Sequence, residues 1–307
     1  MVRLYLLRRL WDTALTILAM SMVVFVAVRV LPADPVLLLA GEYARPGELE
    51  AIRVELGLDR PIAVQYVTWL SEAAHGRLGK SIRTQREVSE IFLQRLPATL
   101  ELALSALLLG LLLGLPVGIV SAVRRNTGLD RTVRVLAVTS HSTPNFFLGM
   151  LLILLFAVSL GWLPSFGMGG WRHALLPTIT LSTYVISLVS RVTRASMLEV
   201  LDADYVRTAR AKGLSERLVI WRHALRNALI PIITVVGLQF GNLVGGAIVT
   251  ETVFAWPGIG TAAYQAILER DYPIIQAIVL YVAVGVALTN LVVDVLYSKL
   301  QPQVRFG

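Results

Sequence analysis

The amino-acid sequence predicts an all-α integral membrane protein with six transmembrane helices and both termini in the cytoplasm. Three observations predict this fold class. The 307 residues are 56% hydrophobic and 16% charged, with a mean hydropathy of +0.69, whereas soluble proteins average about 25% charged residues. Six stretches are apolar enough, and close enough to about 20 residues long, to cross a bilayer as helices. Arginine and lysine are concentrated in alternate loops between these stretches.

The six apolar stretches are the elements of this prediction. In chain order they cover residues 10–31, 98–123, 135–160, 176–198, 228–254 and 274–296. The first is longer than the apolar part of a signal peptide and no small-x-small site follows it, so we predict a retained helix. In the third, Pro144 removes a helical hydrogen bond and is expected to bend the span.

The basic residues set the predicted orientation. Arginines precede the first stretch, lie between the second and third, and crowd the segment between the fourth and fifth, while the short loops on the other side hold only Arg172 and Arg270. Because basic loops stay in the cytoplasm, both termini are predicted to lie there. The formal charge of +8 then reflects cytoplasmic loops, and no nucleic-acid partner is predicted.

Four regions follow along the chain. Residues 1–31 form an N-terminal segment with the first span, and residues 32–97 form an external segment. Val67, Trp69 and Leu70 predict a short amphipathic helix in a small external cap there. Residues 98–297 form the core with the other five spans, and residues 298–307 form a cytoplasmic tail.

The sequence offers no catalytic grouping. There is no cysteine, and the four histidines share no metal-ligand spacing, so no metal site is expected. Residues 74–81, Ala-His-Gly-Arg-Leu-Gly-Lys-Ser, imitate a P-loop, but no strand precedes them and no clear helix follows, as a working P-loop requires. We expect no ATPase site, no catalytic residue and no bound cofactor in this chain.

Polar residues within the spans are candidates for a translocation path, because such residues are costly in a membrane. The first candidates are Asn145, Gln239, Asn242 and Glu251, and further ones are His141 beside Asn145 and, nearer the span ends, Glu101 and Asp294. Each is equally compatible with a hydrogen-bonded packing role. Glycines spaced four apart, at 110–118 and 237–245, let another backbone approach closely. They are equally typical of packing within the chain and of a face against a second transmembrane subunit or the translocation path, and these interpretations are compatible.

The segment between the fourth and fifth spans predicts a short basic helix. Asp202 or Asp204 is placed to cap its start, Arg210 and Lys212 suit its negative end, and Gly213 is suited to the left-handed residue that stops it. Ser215 is placed to cap a second helix. The first helix has the shape to enter a groove on another protein, and it is equally suited to lie on anionic lipid.

The same segment, DYVRTARAKGLSE at 204–216 followed by RHALRNALIPI at 222–232, resembles the coupling motif of one family: inner-membrane permeases of ABC importers for dipeptides, oligopeptides, glutathione and nickel chelates. Arg207-Thr208-Ala209 replaces the Glu-Ala-Ala of the broader permease motif, and Gly213 keeps its glycine. Further similar stretches span nearly the whole chain: LPADP (31–35), ELGLDRP (55–61), RLPATLELAL (95–104), GLQFGNLVGGAIVTETVFAWPGIG (237–260), RDYPIIQA (270–277) and NLVVDVLY (290–297).

The resemblance implies a type I ABC importer permease fold in a bacterial inner membrane. It implies a heterodimeric pore with a second homologous permease, two cytoplasmic ATPase subunits that bind ATP and magnesium, and an external solute-binding protein. Residues 204–213 would be the coupling helix. The residues implied in ATPase docking are Tyr205, Arg207, Ala209, Arg210, Lys212, Gly213 and Leu214.

Dipeptides and oligopeptides are the first substrates that this resemblance implies. Glutathione is the second, because the compact length and the stretch at 159–164, Ser-Leu-Gly-Trp-Leu-Pro, resemble that branch; nickel chelates are the third. The rival function from another class is an ion-coupled secondary transporter without ATPase partners. A membrane-embedded enzyme is disfavoured, because no residue grouping suits catalysis.

Overall fold

The structure, a computed structural model, describes residues 2–30, 36, 45–55 and 57–300. Two predicted features lie outside these residues: the LPADP stretch at 31–35, which includes the end of the first predicted span, and residues 301–307 of the predicted tail. In the described ranges the regular elements are helices, with one isolated antiparallel bridge between Lys80 and Glu87. The chain forms two compact units. One combines Met1–Pro97 with Gly258–Ala287, and the other combines Ala98–Pro257 with Leu288–Gly307.

The helices are numbered in chain order. They are α1 (Val2–Val30), α2 (Pro46–Glu55), α3 (Ile62–Ala74), α4 (Val88–Val123), α5 (Gly128–Ser142), α6 (Asn145–Leu152), α7 (Trp171–Leu201), α8 (Asp204–Ala211), α9 (Glu216–Leu218), α10 (Leu225–Gly246), α11 (Ile248–Val253), α12 (Ile259–Glu269) and α13 (Tyr272–Leu300). Two π-helical segments continue α6 and α9, over Ile153–Ser159 and Val219–Ala224.

In the first unit, α3 packs against α1. The ring of Phe25 meets Tyr66 edge-on at 5.2 Å between centroids, and the Ser21 and Tyr66 hydroxyls are 2.8 Å apart. Arg29 donates from Nη2 to Gln65 Oε1 at 3.0 Å. The helix predicted around Trp69 is thus confirmed as α3, and aromatic contacts and hydrogen bonds attach it to the first span.

In the second unit, α7 is central and contacts α5, α6, α10 and α11. Its buried residues include serines and threonines as well as apolar side chains; these residues are small enough for helices to pack closely. Ser187, for example, donates to the carbonyl of Ala137 in α5 at 2.6 Å. The predicted packing role of the first glycine series is confirmed within the chain, because Gly110, Gly114 and Gly118 of α4 lie against α7.

Five helices are long and apolar enough to span a membrane, over residues 7–29, 88–123, 171–201, 216–245 and 272–295. They correspond to the predicted first, second, fourth, fifth and sixth spans, and all five begin earlier in the chain than the apolar stretch itself. The fifth is shorter at its far end, because a separate helix, α11, covers residues 248–253.

The third predicted span, 135–160, is not one straight helix. Its residues lie in α5 and in α6 with its π-helical continuation, and the two helices meet at an angle of 100°. The cause is local: Pro144 lacks a backbone N–H and disfavours helical geometry in the residue before it. Thr143 accordingly has an extended backbone, with φ −80° and ψ 123°. The expected bend is therefore confirmed, as a complete break.

Candidate functional site

Helix α8 has one buried face and one exposed face. Val206 and Ala209 are buried and pack with Val219 of the following π-helical segment. Tyr205, Arg207 and Lys212 are exposed. The predicted basic helix is confirmed over residues 204–211, but Ala209 faces inward, so a docking partner would meet the exposed residues around it.

The end of α8 is closed by a Schellman motif. The N–H of Leu214 donates to the carbonyl of Ala209, at 3.4 Å, and the N–H of Gly213 donates to that of Arg210, at 2.9 Å. These are the two hydrogen bonds that define the motif. Gly213 has φ +78°, the left-handed conformation predicted for it. Leu214 packs against the buried face of α8, completing the hydrophobic contact that accompanies this ending.

The predicted caps at the other ends are wrong in detail. Ala203 occupies the N-cap of α8, and no side chain caps it. Asp202 instead pairs with Arg125 at 3.0 Å, and Asp204 lies in the first turn, where it meets Arg207 at 3.4 Å. Ser215 does take the N-cap position of α9, but its side chain makes no capping hydrogen bond.

Arg210 and Tyr205 tie α8 to the chain that follows it. Arg210 donates from Nε to Glu216 Oε1 at 2.7 Å, across the turn that contains Gly213. The hydroxyl of Tyr205 accepts a hydrogen bond from Asn227 Nδ2 at 3.0 Å, in the first turn of α10. The helix is therefore connected at both ends to α9 and α10, the segment that continues into the fifth span.

The four first-named path candidates occupy different environments. Asn145 is half-buried at the first position of α6, beside the break, and Asn242 is exposed on α10. Gln239 is buried on the same helix. Glu251 is fully buried and accepts a 2.6 Å hydrogen bond from Thr99. The structure thus places Glu251 in a packing contact between α4 and α11, while Asn145 and Asn242 stay accessible in this chain.

Sequence reasoning missed two buried carboxylates. Asp130 of α5 accepts hydrogen bonds from Ser121 at 2.6 Å and from Arg194 at 2.7 Å and 2.9 Å, which joins α4, α5 and α7. Asp271 accepts from the Ser81 hydroxyl at 2.5 Å and from the N–H of Ile82 at 3.2 Å. The serine of the P-loop-like stretch is therefore a structural anchor. No spacing rule links such partners, because 190 residues separate Ser81 from Asp271.

A third group lies near the break, and the sequence indicated only one of its members, His141. Arg191 Nη2 is 3.3 Å from His141 Nδ1, and the His141 ring stacks on Tyr184 at 4.9 Å between centroids. Its other sequence signal is Arg191, ten residues before the end of α7. From the sequence alone, this arginine indicates only the orientation of the span. Across the described residues, no group of three or more His, Asp or Glu side chains is arranged to hold a metal ion.

Comparisons with known proteins give the family. The family described as "Binding-protein-dependent transport system inner membrane component" matches residues 114–306, and its N-terminal companion matches residues 1–103. The glutathione transport system permease protein GsiC of Salmonella typhi is 45% identical over 302 residues, covering 98% of this chain and 99% of the relative. The same protein of Escherichia coli strain K12 is 44% identical over the same length.

Solved structures agree on the fold. The MetNI methionine ABC transporter in an inward-facing conformation matches with a TM-score of 0.61 at 21% identity, covering 68% of this chain and 96% of that one. An amino acid ABC transporter with histidines matches with a TM-score of 0.53 at 17% identity, covering 70% and 95%. The family match and the 45% identical relative, together with the apolar spanning helices, show a multi-pass bacterial inner-membrane protein. The chain belongs to the binding-protein-dependent inner-membrane permeases of ABC importers.

Proposed function

We propose that this chain forms half of the translocation pore of an ATP-driven importer for small peptides, with glutathione as its first substrate. The observation that carries the substrate is the identity of 44–45% to glutathione transport permeases over 98% of the chain. Dipeptides and oligopeptides, which the sequence motifs imply first, remain the second candidates. Nickel chelates are the third.

The importer would divide its work among several chains. A family of binding-protein-dependent ABC permeases works with a solute-binding protein and ATPase subunits. In our proposal a homologous second permease completes the pore, and two ATPase subunits bind ATP and magnesium below it. The solute-binding protein delivers substrate from outside. This chain hydrolyses nothing itself; the complex as a whole is the ATP-hydrolysing translocase.

Helix α8 is the proposed coupling helix. Its exposed residues Tyr205, Arg207 and Lys212 would contact an ATPase subunit, while Ala209 and Leu214 attach its inner face to the chain. Arg210 and Gly213 hold the turn that follows. Because α8 is bonded to α9 and α10, a push on α8 would be transmitted to the fifth span rather than absorbed by a loose loop.

The path residues are proposals of the same kind. Asn145 and Asn242, which stay accessible in this chain, would line the path. Gln239 and Glu251 are buried and would support its wall.

The test is uptake by the complete complex in liposomes. We would compare labelled glutathione, a labelled dipeptide and a nickel–histidine chelate, each with the cognate solute-binding protein, with ATP or a non-hydrolysable analogue inside. ATP-dependent uptake of glutathione above the others supports the proposal. If the complex prefers the dipeptide or the chelate in the presence of ATP, that class becomes the assigned substrate in place of glutathione. Uptake driven by an ion gradient without ATPase subunits would refute the importer mechanism.

A further inference from the structure

Three side chains on α5 and α7 form a group that offers hydrogen-bond donors and no negative charge. They are His141, Tyr184 and Arg191, here called the donor cluster. Arg191 donates from Nη2 to His141 Nδ1 at 3.3 Å. A guanidinium has only donors, so Nδ1 accepts, and the hydrogen of the neutral ring is on Nε2. That N–H is available to a further acceptor.

Arg191 differs from the next arginine along α7. Arg194 makes two hydrogen bonds to the buried carboxylate of Asp130, at 2.7 Å and 2.9 Å. Arg191 has no carboxylate partner in the described part of the chain, and its Nε atom is buried without a hydrogen-bond acceptor. Burying a donor of a charged group without a partner is costly. On the neighbouring helix α5, Asp130 pairs with Arg194, but no carboxylate reaches Arg191 in the described residues.

The position of the cluster favours the transport path over lipid. His141 lies one residue before α5 ends at Ser142, beside the 100° break between α5 and α6. Irregular backbone within a bilayer is tolerated only where protein covers it or where it lines a water-filled cavity. His141 itself is exposed in this chain. A cavity lined by polar groups fits both facts, and Asn145, a path candidate, lies on the other side of the break.

We propose that His141, Tyr184 and Arg191 bind a carboxylate group of the transported peptide as it passes through the pore. This inference rests on the proposed function and names the part of the substrate that the chain recognises. An arginine fork pairs with both oxygens of a carboxylate, and the His141 Nε2 hydrogen and the Tyr184 hydroxyl are additional donors. Free peptides end in a carboxylate and glutathione carries two, so one subsite suits all the peptide substrates considered above.

The test compares each substrate with an analogue in which every carboxylate is converted to an amide. Complete complexes carrying wild-type chain, Arg191→Gln, Arg191→Lys or Tyr184→Phe are reconstituted in neutral-lipid liposomes. ATP-driven uptake is measured for the preferred peptide and for its amide, the analogue in which every carboxylate is amidated, at concentrations that saturate the solute-binding protein. Selectivity of the binding protein cancels, because each variant is compared with wild type for the same substrate. Arg131→Gln, an exposed arginine on α5, is the matched control for loss of one positive charge.

We expect Arg191→Gln to lower uptake of the free-acid peptide at least tenfold relative to wild type and uptake of the amide less than twofold. Arg191→Lys should retain part of the preference for the free-acid peptide over the amide, and Tyr184→Phe should lower uptake of the free acid by about two- to fivefold. Arg131→Gln should leave uptake of the acid and of the amide unchanged. Equal loss for acid and amide would overturn the proposal, since it would indicate a structural role.

A second arm separates substrate from lipid. The same measurements are repeated with about one third anionic phospholipid in the liposomes. If Arg191→Gln lowers uptake only with anionic lipid, and lowers it equally for the acid and the amide, the donor cluster binds lipid headgroups and the proposal fails. If the wild-type complex itself shows no ATP-driven peptide uptake, the proposed function fails first, and this inference fails with it.

Discussion

At the scale of single residues, Gly213 determines how α8 ends. Its φ of +78° is in the left-handed region, and both hydrogen bonds of the Schellman motif depend on that conformation. A Cβ added at Gly213 would meet no atom within 4 Å. The restriction on this position is therefore conformational and not steric, which allows a test by residue type.

Replacing Gly213 with valine should uncouple ATP hydrolysis from transport. A β-branched residue in the left-handed conformation costs about 1–2 kcal/mol, so the turn should open and α8 should lose its fixed connection to α9. Gly213→Asn is the matched control, because asparagine tolerates this conformation. The measurement is the ratio of substrate transported to ATP hydrolysed in the reconstituted complex. A wild-type ratio in Gly213→Val would contradict the role given to this turn.

The sequence correctly predicted the left-handed conformation of Gly213, but it did not predict which side chains cap α8 and α9. A left-handed residue after a basic helix has a strong local preference, so Gly213 was predictable. Asp202 was not, because its partner, Arg125, is 77 residues away, and a tertiary ion pair outcompeted the local cap. Arg191 could not be recognised from the sequence for the same reason, because only the three-dimensional structure shows that no carboxylate partner lies beside it in the described residues.

At the scale of helices, close contact between α4 and α7 is built on glycine. A Cβ at Gly118 would lie 2.7 Å from the backbone carbonyl oxygen of Ser190, and one at Gly110 would lie 2.4 Å from Val185 Cγ1. Val185 Cβ would also lie only 2.6 Å from a Cβ at Gly110, so rotating the valine cannot relieve that contact. Neither Val185 Cβ nor the Ser190 carbonyl can move without displacing α7. Both positions therefore require glycine for this contact.

Gly118→Ala should destabilise the permease by about 1–3 kcal/mol, the usual cost of overpacking. Gly285→Ala is the control inside another spanning helix, since its added Cβ would meet nothing within 4 Å. We expect the thermal midpoint of the purified complex to fall for Gly118→Ala and to stay within about a degree of wild type for Gly285→Ala. Equal midpoints for the two variants would show that the α4–α7 contact is looser than described.

The carboxylate of Asp130 should contribute far more stability than that of Asp202. Asp130 is completely buried between three helices, whereas the Arg125 and Asp202 side chains are 56% and 58% exposed. Removing one partner of a buried pair costs about 3–5 kcal/mol, while an exposed pair contributes about 0–1 kcal/mol. Asp130→Asn should therefore lower the Tm markedly and Asp202→Asn hardly at all. A larger effect at Asp202 would reverse this assignment.

At the scale of the whole molecule, composition and the positive-inside rule predicted an all-helical membrane protein. Five of the spans appear as long apolar helices, the fifth with a π-helical segment near its start. The third did not, because hydropathy counts apolar residues and ignores the backbone geometry imposed by Pro144. The six-span count and the cytoplasmic termini remain predictions. The division into two units was also beyond the sequence, since each combines segments far apart along the chain.

The topology can be tested with single cysteines, because the chain contains none. Thr84→Cys lies in the predicted external segment and Arg131→Cys in a predicted cytoplasmic one, and both positions are exposed. A membrane-impermeant maleimide should label position 84 in intact spheroplasts and position 131 only in inverted vesicles. Labelling of both from the same side would mean that an even number of crossings, including none, separates them.

The most direct test of the central claim is the mass of the complex that the tagged chain forms in its native membrane, measured by native mass spectrometry after mild solubilisation. The account predicts one copy of this chain, one homologous permease and two ATPase subunits. Loss of the ATPase subunits is expected when Arg207 and Lys212 on the exposed face of α8 are both changed to glutamate. Recovery of the wild-type chain alone, still transport-competent without ATPase subunits, would contradict the account.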